Sequence, residues 1–249
     1  MAVTAQDIVN QAETYLAQTS QMDVAGLPSG TGESDIYTIT SNQQLLNWIN
    51  EGQNRVARLC LPIADTATFT PATAGQSTIG PYSAVTSSAG RTLHTPTELS
   101  IGTKDISPAN QGQVTNKTWY PSTPDGDPTG WANNNSAIGL SPYTTRPAFT
   151  IGGYFLPTPV VLLTTPIDTF LDDFAQRAVA FYVAWMVAAK NRDNSVLSTR
   201  EVPCANEWIG SVREIYSRII ANDETLAGIF PPAPIDAMVQ LVKQMTPRT

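Results

Sequence analysis

Charge is scarce in this chain of 249 residues. Asp, Glu, Lys and Arg together make 14% of it, where a globular domain carries about a quarter. Basic residues number 14 against 21 acidic ones, a net charge of −7. A protein that grips nucleic acid needs clustered Lys and Arg to neutralise phosphates. No such cluster occurs, so a chain of this sign repels DNA rather than holding it. Histidine is limited to His94, and cysteine to Cys60 and Cys204. A zinc site or a Cys–His catalytic pair needs more than this, and a disulfide framework needs more cysteines. The two cysteines, set in helical apolar patterns, read as buried thiols. The longest uncharged apolar run, 178–189, is too short for a bilayer, which takes about 20 residues. The N-terminal stretch MAVTAQDIVNQAETYL lacks the basic region and apolar core of a secretory signal. There is no Gly-rich phosphate loop, no Gly-x-Ser-x-Gly and no His-Glu-x-x-His. These absences move the reading away from catalysis and toward binding or structure.

What is present is enough for a core: 41% apolar residues, which favours folding over disorder. The chain falls into zones. Residues 1–61 are helical. Thr4-Ala5-Gln6-Asp7 caps a helix whose Ile8, Val9, Ala12, Tyr15 and Leu16 share a face. GLPSGTGES (26–34) is a loop by composition, and IYTIT (36–40) has the β-branched content of a short strand. Ser41 and Gln44 stand as a capping box before LLNWINEGQNRVARLC (45–60). Leu45, Ile49, Val56 and Leu59 make the apolar stripe of that helix, and Pro62 ends it.

Residues 62–150 change character. Short β-type runs (ATFTP, STIGPYS, ELSIGT, KTWYP) alternate with Gly, Pro, Asn and Ser clusters, which predicts antiparallel strands with long loops. The stretch 121–139 has nearly pure turn composition and is expected to project. Within or beside it, Trp119, Tyr120, Asp125, Asp127 and Trp131 form a candidate exposed loop. Two functional readings attach to it. One is a calcium loop, which lacks the distal Glu. The other is a carbohydrate platform of stacked aromatics. The plainer reading is a turn whose aromatics pack on the β-core. Residues 148–166 hold two expected strands, apolar enough to lie against helices.

Residues 151–221 return to helix. One long helix is expected from Thr165-Pro166-Ile167-Asp168 to about Arg192, with Phe170, Phe174, Ala178, Phe181, Trp185 and Ala188 on one side. Asp172 and Asp173 read as favourable first-turn charge. A second helix, 203–221, buries Trp208, Val212, Ile215 and Ile219. Residues 222–249 form a proline-hinged tail with a short amphipathic helix, about 234–245. Its Ile235, Met238, Val239, Leu241, Val242 and Met245 dock either on their own subunit or on a neighbour. The fold class is therefore α+β: a bundle of about four helices, an inserted β-rich subdomain and an extended tail.

The ordered set WINEGQ (48–53), GGYFLPTP (152–159), PIDTFLDDFAQRAVAFYVAWMVAAKNRD (166–193) and CANEWIGSVREIY (204–216) resembles the head-to-tail adaptor, or neck, proteins of tailed bacteriophages. The likeness covers the helical zones, about half of the chain. It implies a homo-oligomeric ring, a dodecamer, in the virion neck. That ring would join the portal protein to a tail or nozzle protein and line the channel through which DNA passes without specific binding. It implies no cofactor, no metal, no membrane and no catalysis. A ring also requires two unlike faces on one molecule. Gly52, costing about 1 kcal/mol against Ala in a helix interior, needs a close neighbour. That neighbour is another subunit, with Trp48, Gly52 and Arg55 at the interface, or an internal side chain such as Trp185. The rival reading is a carbohydrate- or receptor-binding virion protein that uses the Trp119–Trp131 loop.

Overall fold

The computed structural model describes residues 2–18, 36, 40–114, 126–134, 136–230 and 232–245. The predicted loop 26–34, residues 37–39 and KTWYP (117–121) lie outside them; Ile36 is helical rather than extended. The chain divides into two compact units, one made of residues 1–61 and 159–249, the other of 62–158. Helices and sheets segregate between them, which makes the protein α+β.

The first unit is helical: α1 Ala5–Gln18, α2 Asn42–Leu59, α3 Asp173–Lys190, α4 Glu201–Asn222 and α5 Ala233–Met245. Helix α1 starts with a reciprocal cap. The backbone N–H and hydroxyl of Thr4 both donate to the Asp7 carboxylate at 2.8 Å, while Asp7 N–H points back at the Thr4 hydroxyl. Those bonds to Thr4 hold the Asp7 carboxyl below its ordinary range. Helix α2 is capped on one side only. The Ser41 hydroxyl accepts from Gln44 N–H, but the Gln44 side chain does not close the box. Its Oε1 accepts from Lys190 in the last turn of α3.

Helix α3 begins later than its pattern predicts. Asp172 is the N-cap and accepts from Ala175 N–H at 2.9 Å. Residues 161–171 are instead turns pinned to the start of α1: Ala5 N–H donates to Thr165 O, Gln6 N–H to Leu163 O and Ile167 N–H to Val3 O. Phe170, expected on a buried helical face, is 46% exposed. From Ala175 onward α3 is buried on most of its circumference, as its small residues allow. It packs against α1, α2 and α4. One continuous core results, with Trp208, Tyr182, Ile8, Leu45 and Ile49 fully enclosed. Tyr15 stacks on Phe181 at 4.0 Å between ring centres. Trp185 and Trp208 stack at 5.4 Å with Tyr182 edge-on to Trp185.

Among its described residues the second unit holds two four-stranded sheets. The first has the order β1 (Ala64–Phe69), β8 (Phe149–Leu156), β3 (Thr92–Ile101), β4 (Lys104–Asp105). The second has the order β2 (Thr78–Ile79), β7 (Ala137–Leu140), β6 (Gly130–Asn134), β5 (Ser107–Pro108). All pairs are antiparallel except β5 with β6. The two sheets share a core in which Leu93, Leu99, Phe149 and Phe155 of the first meet Ile79, Trp131 and Ile138 of the second. Residues 148–166 yield one strand, not two. That strand, β8, is not a cover for helices but an interior strand of the first sheet, hydrogen-bonded to β1 on one side and β3 on the other. Pro157 and Pro159 then end it by withholding backbone donors. Because Ala64 pairs with Tyr154 and Phe155 N–H donates to Ile63 O, the unit's first and last strands leave it side by side.

Candidate functional site

Helix α2 has two faces of opposite character. Inward it buries Leu45, Leu46, Trp48, Ile49, Gly52, Gln53, Val56 and Ala57. Outward it carries Asn47, Asn50, Glu51, Asn54, Arg55 and Arg58, which line an open groove of about 550 Å³. These positions recur at three- and four-residue steps, the spacing of one helical stripe.

Each groove residue has a distinct state. Asn50 is clamped to backbone: its Nδ2 donates to Val160 O at 2.9 Å and its Oδ1 accepts from Val160 N–H at 2.8 Å. Arg55 reaches Glu51 through two donors, at 3.0 and 2.7 Å, and its guanidinium lies 5.3 Å from the centre of the Tyr182 ring. Burial, then the nearby Glu51 carboxylate, push the Tyr182 phenol well above its ordinary range, so it stays neutral. Asn47 accepts from Gln43. Among the described residues, Asn54 and Arg58 have no hydrogen-bond or ion-pair partner.

The other predicted positions divide. Trp48 is not on an outer face: it is 7% exposed, with the Lys190 ammonium 5.8 Å above its ring. Gly52 faces Tyr182 and Val179 of α3, so the internal neighbour is Tyr182 rather than Trp185. Arg55 is exposed. Ile235 is 2% exposed within its own unit, and Met238 and Val239 are partly buried against the same core. Arg213 of α4 pairs with Asp236 at 3.1 Å. The side chains of Leu241, Val242 and Met245 lie outside what is described.

Trp119, Tyr120 and Asp125 also lie outside the described residues. Trp131 does not project. It is 4% exposed and donates its indole N–H to Ile106 O at 3.0 Å. Asp127 is half-buried and accepts from the Thr145 hydroxyl at 2.6 Å. Gly126 (φ +84°) accepts from Thr144 N–H through its carbonyl, and a side chain there would collide with the Thr144 hydroxyl. Gly126 and Asp127 are thus fastened to the 141–145 segment. The feature that sequence reasoning missed is the Asn50–Asn54–Arg58 row, although its four-residue step was readable.

The two thiols are buried. Burial, then the Asp172 charge, push Cys60 far above its ordinary range, and burial pushes Cys204 up to about 11. Among the described residues no group of three His, Cys, Asp or Glu side chains could hold a metal ion. No described helix is long and apolar enough to cross a membrane.

Residues 3–224 match the SU10 adaptor protein family, a span that runs from the start of α1 through the β-rich unit to the end of α4. The chain belongs to that family. It is a phage structural adaptor, a class that is not enzymatic. Helix α5 falls beyond the matched span of the adaptor. A comparison of the adaptor with curated proteins returns no match.

Proposed function

We propose that this adaptor forms a homo-oligomeric ring, a dodecamer, in the phage neck, joining the portal protein to the tail and lining the channel for DNA. The observation that carries the reading is the family match over residues 3–224. Two physical features support it. The first is the net charge of −7, which suits a wall that must let DNA slide past without trapping it. The second is the two-faced helix α2, whose outer stripe stays polar and open while its inner stripe is fully used by the core. The helices form a bundle around α3, and the work is done by subunit interfaces rather than by chemistry. The carbohydrate-platform alternative loses its described aromatic, because the Trp131 ring is enclosed.

The test is co-sedimentation with purified portal protein, followed by electron microscopy of particles lacking the chain. The reading expects a portal–adaptor complex, and particles without the chain that lose necks and leak genomes. Intact necks in those particles would overturn it.

A further inference from the structure

A β-sheet ends in a row of unpaired backbone groups, and proteins blunt such edges with short strands, proline, lysine or bulges. Among the described residues, three of the four outer strands in the β-rich unit are blunted in this way. Strands β2, β4 and β5 are two residues long, β4 begins with Lys104 and β5 ends in Pro108. The rest of the outer side of β3 is interrupted by register shifts on either side of Thr95 and Pro96. It is also partly taken up by Val85 and Ile106.

Strand β1 is different. It runs for six residues, ADTATF, in unbroken register with β8, and carries no proline or lysine. Phe155 N–H donates to Ile63 O. The alternation of an antiparallel ladder therefore turns the backbone groups of Asp65, Ala67 and Phe69 toward β8 and those of Ala64, Thr66 and Thr68 outward. Those last three residues are exposed. Among the described residues, the N–H groups of Ala64 and Thr68 and all three outward carbonyls have no partner. Thr66 N–H donates to the Asp65 carboxylate at 2.8 Å, whose other oxygen is held by Arg91. That amide can be handed to an arriving carbonyl without unpairing Arg91.

We propose that β1 is a docking edge for strand addition, and that its occupant is an extended segment of a different virion polypeptide. Outward groups on alternate residues, about 6.6 Å apart, match another extended main chain. Residues paired across a ladder share a face. Those opposite Ala67 and Phe69, which belong to the core and its border, must therefore be apolar, and those opposite Thr66 and Thr68 polar. Within the proposed ring, symmetry excludes an adjoining copy. A ring repeats one contact between unlike patches, and among the described residues β1 finds no second outer strand of its length on this chain. Pairing β1 with β1 would close a twofold dimer instead. The partner strand is thus an addition to the ring reading and rests on it.

The test compares the full chain, free and in assembled particles, by hydrogen–deuterium exchange resolved to single amides. In the free chain the Ala64 and Thr68 amides are expected to exchange fast, and those of Asp65, Ala67 and Phe69 slowly. In particles Thr68 exchange should slow by about tenfold or more. The photo-crosslinking residue benzoylphenylalanine, placed at exposed Thr66, should attach to a different virion polypeptide, at a segment with apolar residues in alternate positions. Thr68→Pro removes an outward donor where an edge tolerates proline, and should cut that crosslink about tenfold with the ring intact. Thr68→Lys, which keeps the amide and adds an edge charge, replaces it if proline lowers the melting midpoint. A ring seen by electron microscopy in which Thr68 exchanges as fast as in the free chain, or a crosslink to another copy or to nothing, overturns the inference and leaves the ring reading standing. Particles without a ring overturn both.

Discussion

Gly52 on α2 lies directly against Tyr182 on α3: a Cβ at position 52 would sit 3.0 Å from Tyr182 Cδ1 and 3.3 Å from Val179 Cγ1. The ring cannot yield, because Trp185, Trp208 and the Arg55 guanidinium surround it. The glycine is therefore a packing requirement inside one subunit. Gly52→Leu is expected to destabilise by about 1–3 kcal/mol through overpacking, read as a lower urea midpoint. If the variant keeps its midpoint, the close approach of α2 to α3 is wrong.

Asp65 and Arg91 make a second testable pair, at 2.9 Å with side chains 20% and 11% exposed. Burial opposes the Asp65 charge, but the Thr66 N–H, Ser87 and Arg91 outweigh it and lower its pKa. A carboxyl lowered on folding stabilises above its unfolded value, and that stabilisation disappears as pH falls through the folded value. The β-rich unit is expected to lose stability below about pH 4. Asp65→Asn should flatten that pH slope and cost about 1–3 kcal/mol at pH 7, since buried Arg91 loses its partner. Thermal melts from pH 7 to pH 2 measure both.

Trp131 is a structural test of the carbohydrate reading. Replacing this enclosed ring by Ala should cost about 3–5 kcal/mol and unsettle the β-rich unit. Amide exchange in β6 and β7 would report it. A stable Trp131→Ala variant that loses glycan binding would reverse the assignment.

Ile235 anchors α5 to its own unit. Ile235→Ala is expected to raise amide exchange across residues 233–245 while α3 and α4 stay protected. The buried cavity costs about 2–4 kcal/mol locally. Unchanged exchange would mean that α5 is held by something else.

Both thiols should resist alkylation in the native state, since the thiolate is the reactive form and burial disfavours it at Cys60 and Cys204 alike. Maleimide labelling is expected to become fast only at denaturant concentrations that unfold the helical unit. Rapid labelling in buffer would contradict the packing.

Local patterns were legible where a short range of sequence decides the outcome. Ser41 marked the start of α2 correctly, and the spacing of Leu45, Ile49 and Val56 marked its inner face. Long-range choices were not. The Gln44 side chain abandons its own helix end for Lys190, a residue 146 positions away. The start of α3 was expected at Thr165–Asp168, with Asp172 read as first-turn charge. Pinning of residues 163–167 to the start of α1 moves the start to an Asp172 cap, and no periodicity records that pinning. Strand β8 was readable as extended, but its partners, β1 and β3, lie about 80 and 50 residues upstream. Turn-rich composition around Trp131 suggested projection, because composition cannot see the Ile106 carbonyl that takes up the indole. For the groove, the row of Asn and Arg was visible in the letters, but its openness needed the fold.

The side-by-side exit of β1 and β8 has a consequence for how the chain assembles itself. The helical unit is assembled from two sequence segments separated by the 62–158 interval. Joining them through a slack tether of that size would cost about 4 kcal/mol of chain entropy. Once the β-rich unit has closed, the tether shrinks to the width of two neighbouring strands, and α3 and α4 meet α1 and α2 as though spliced in sequence.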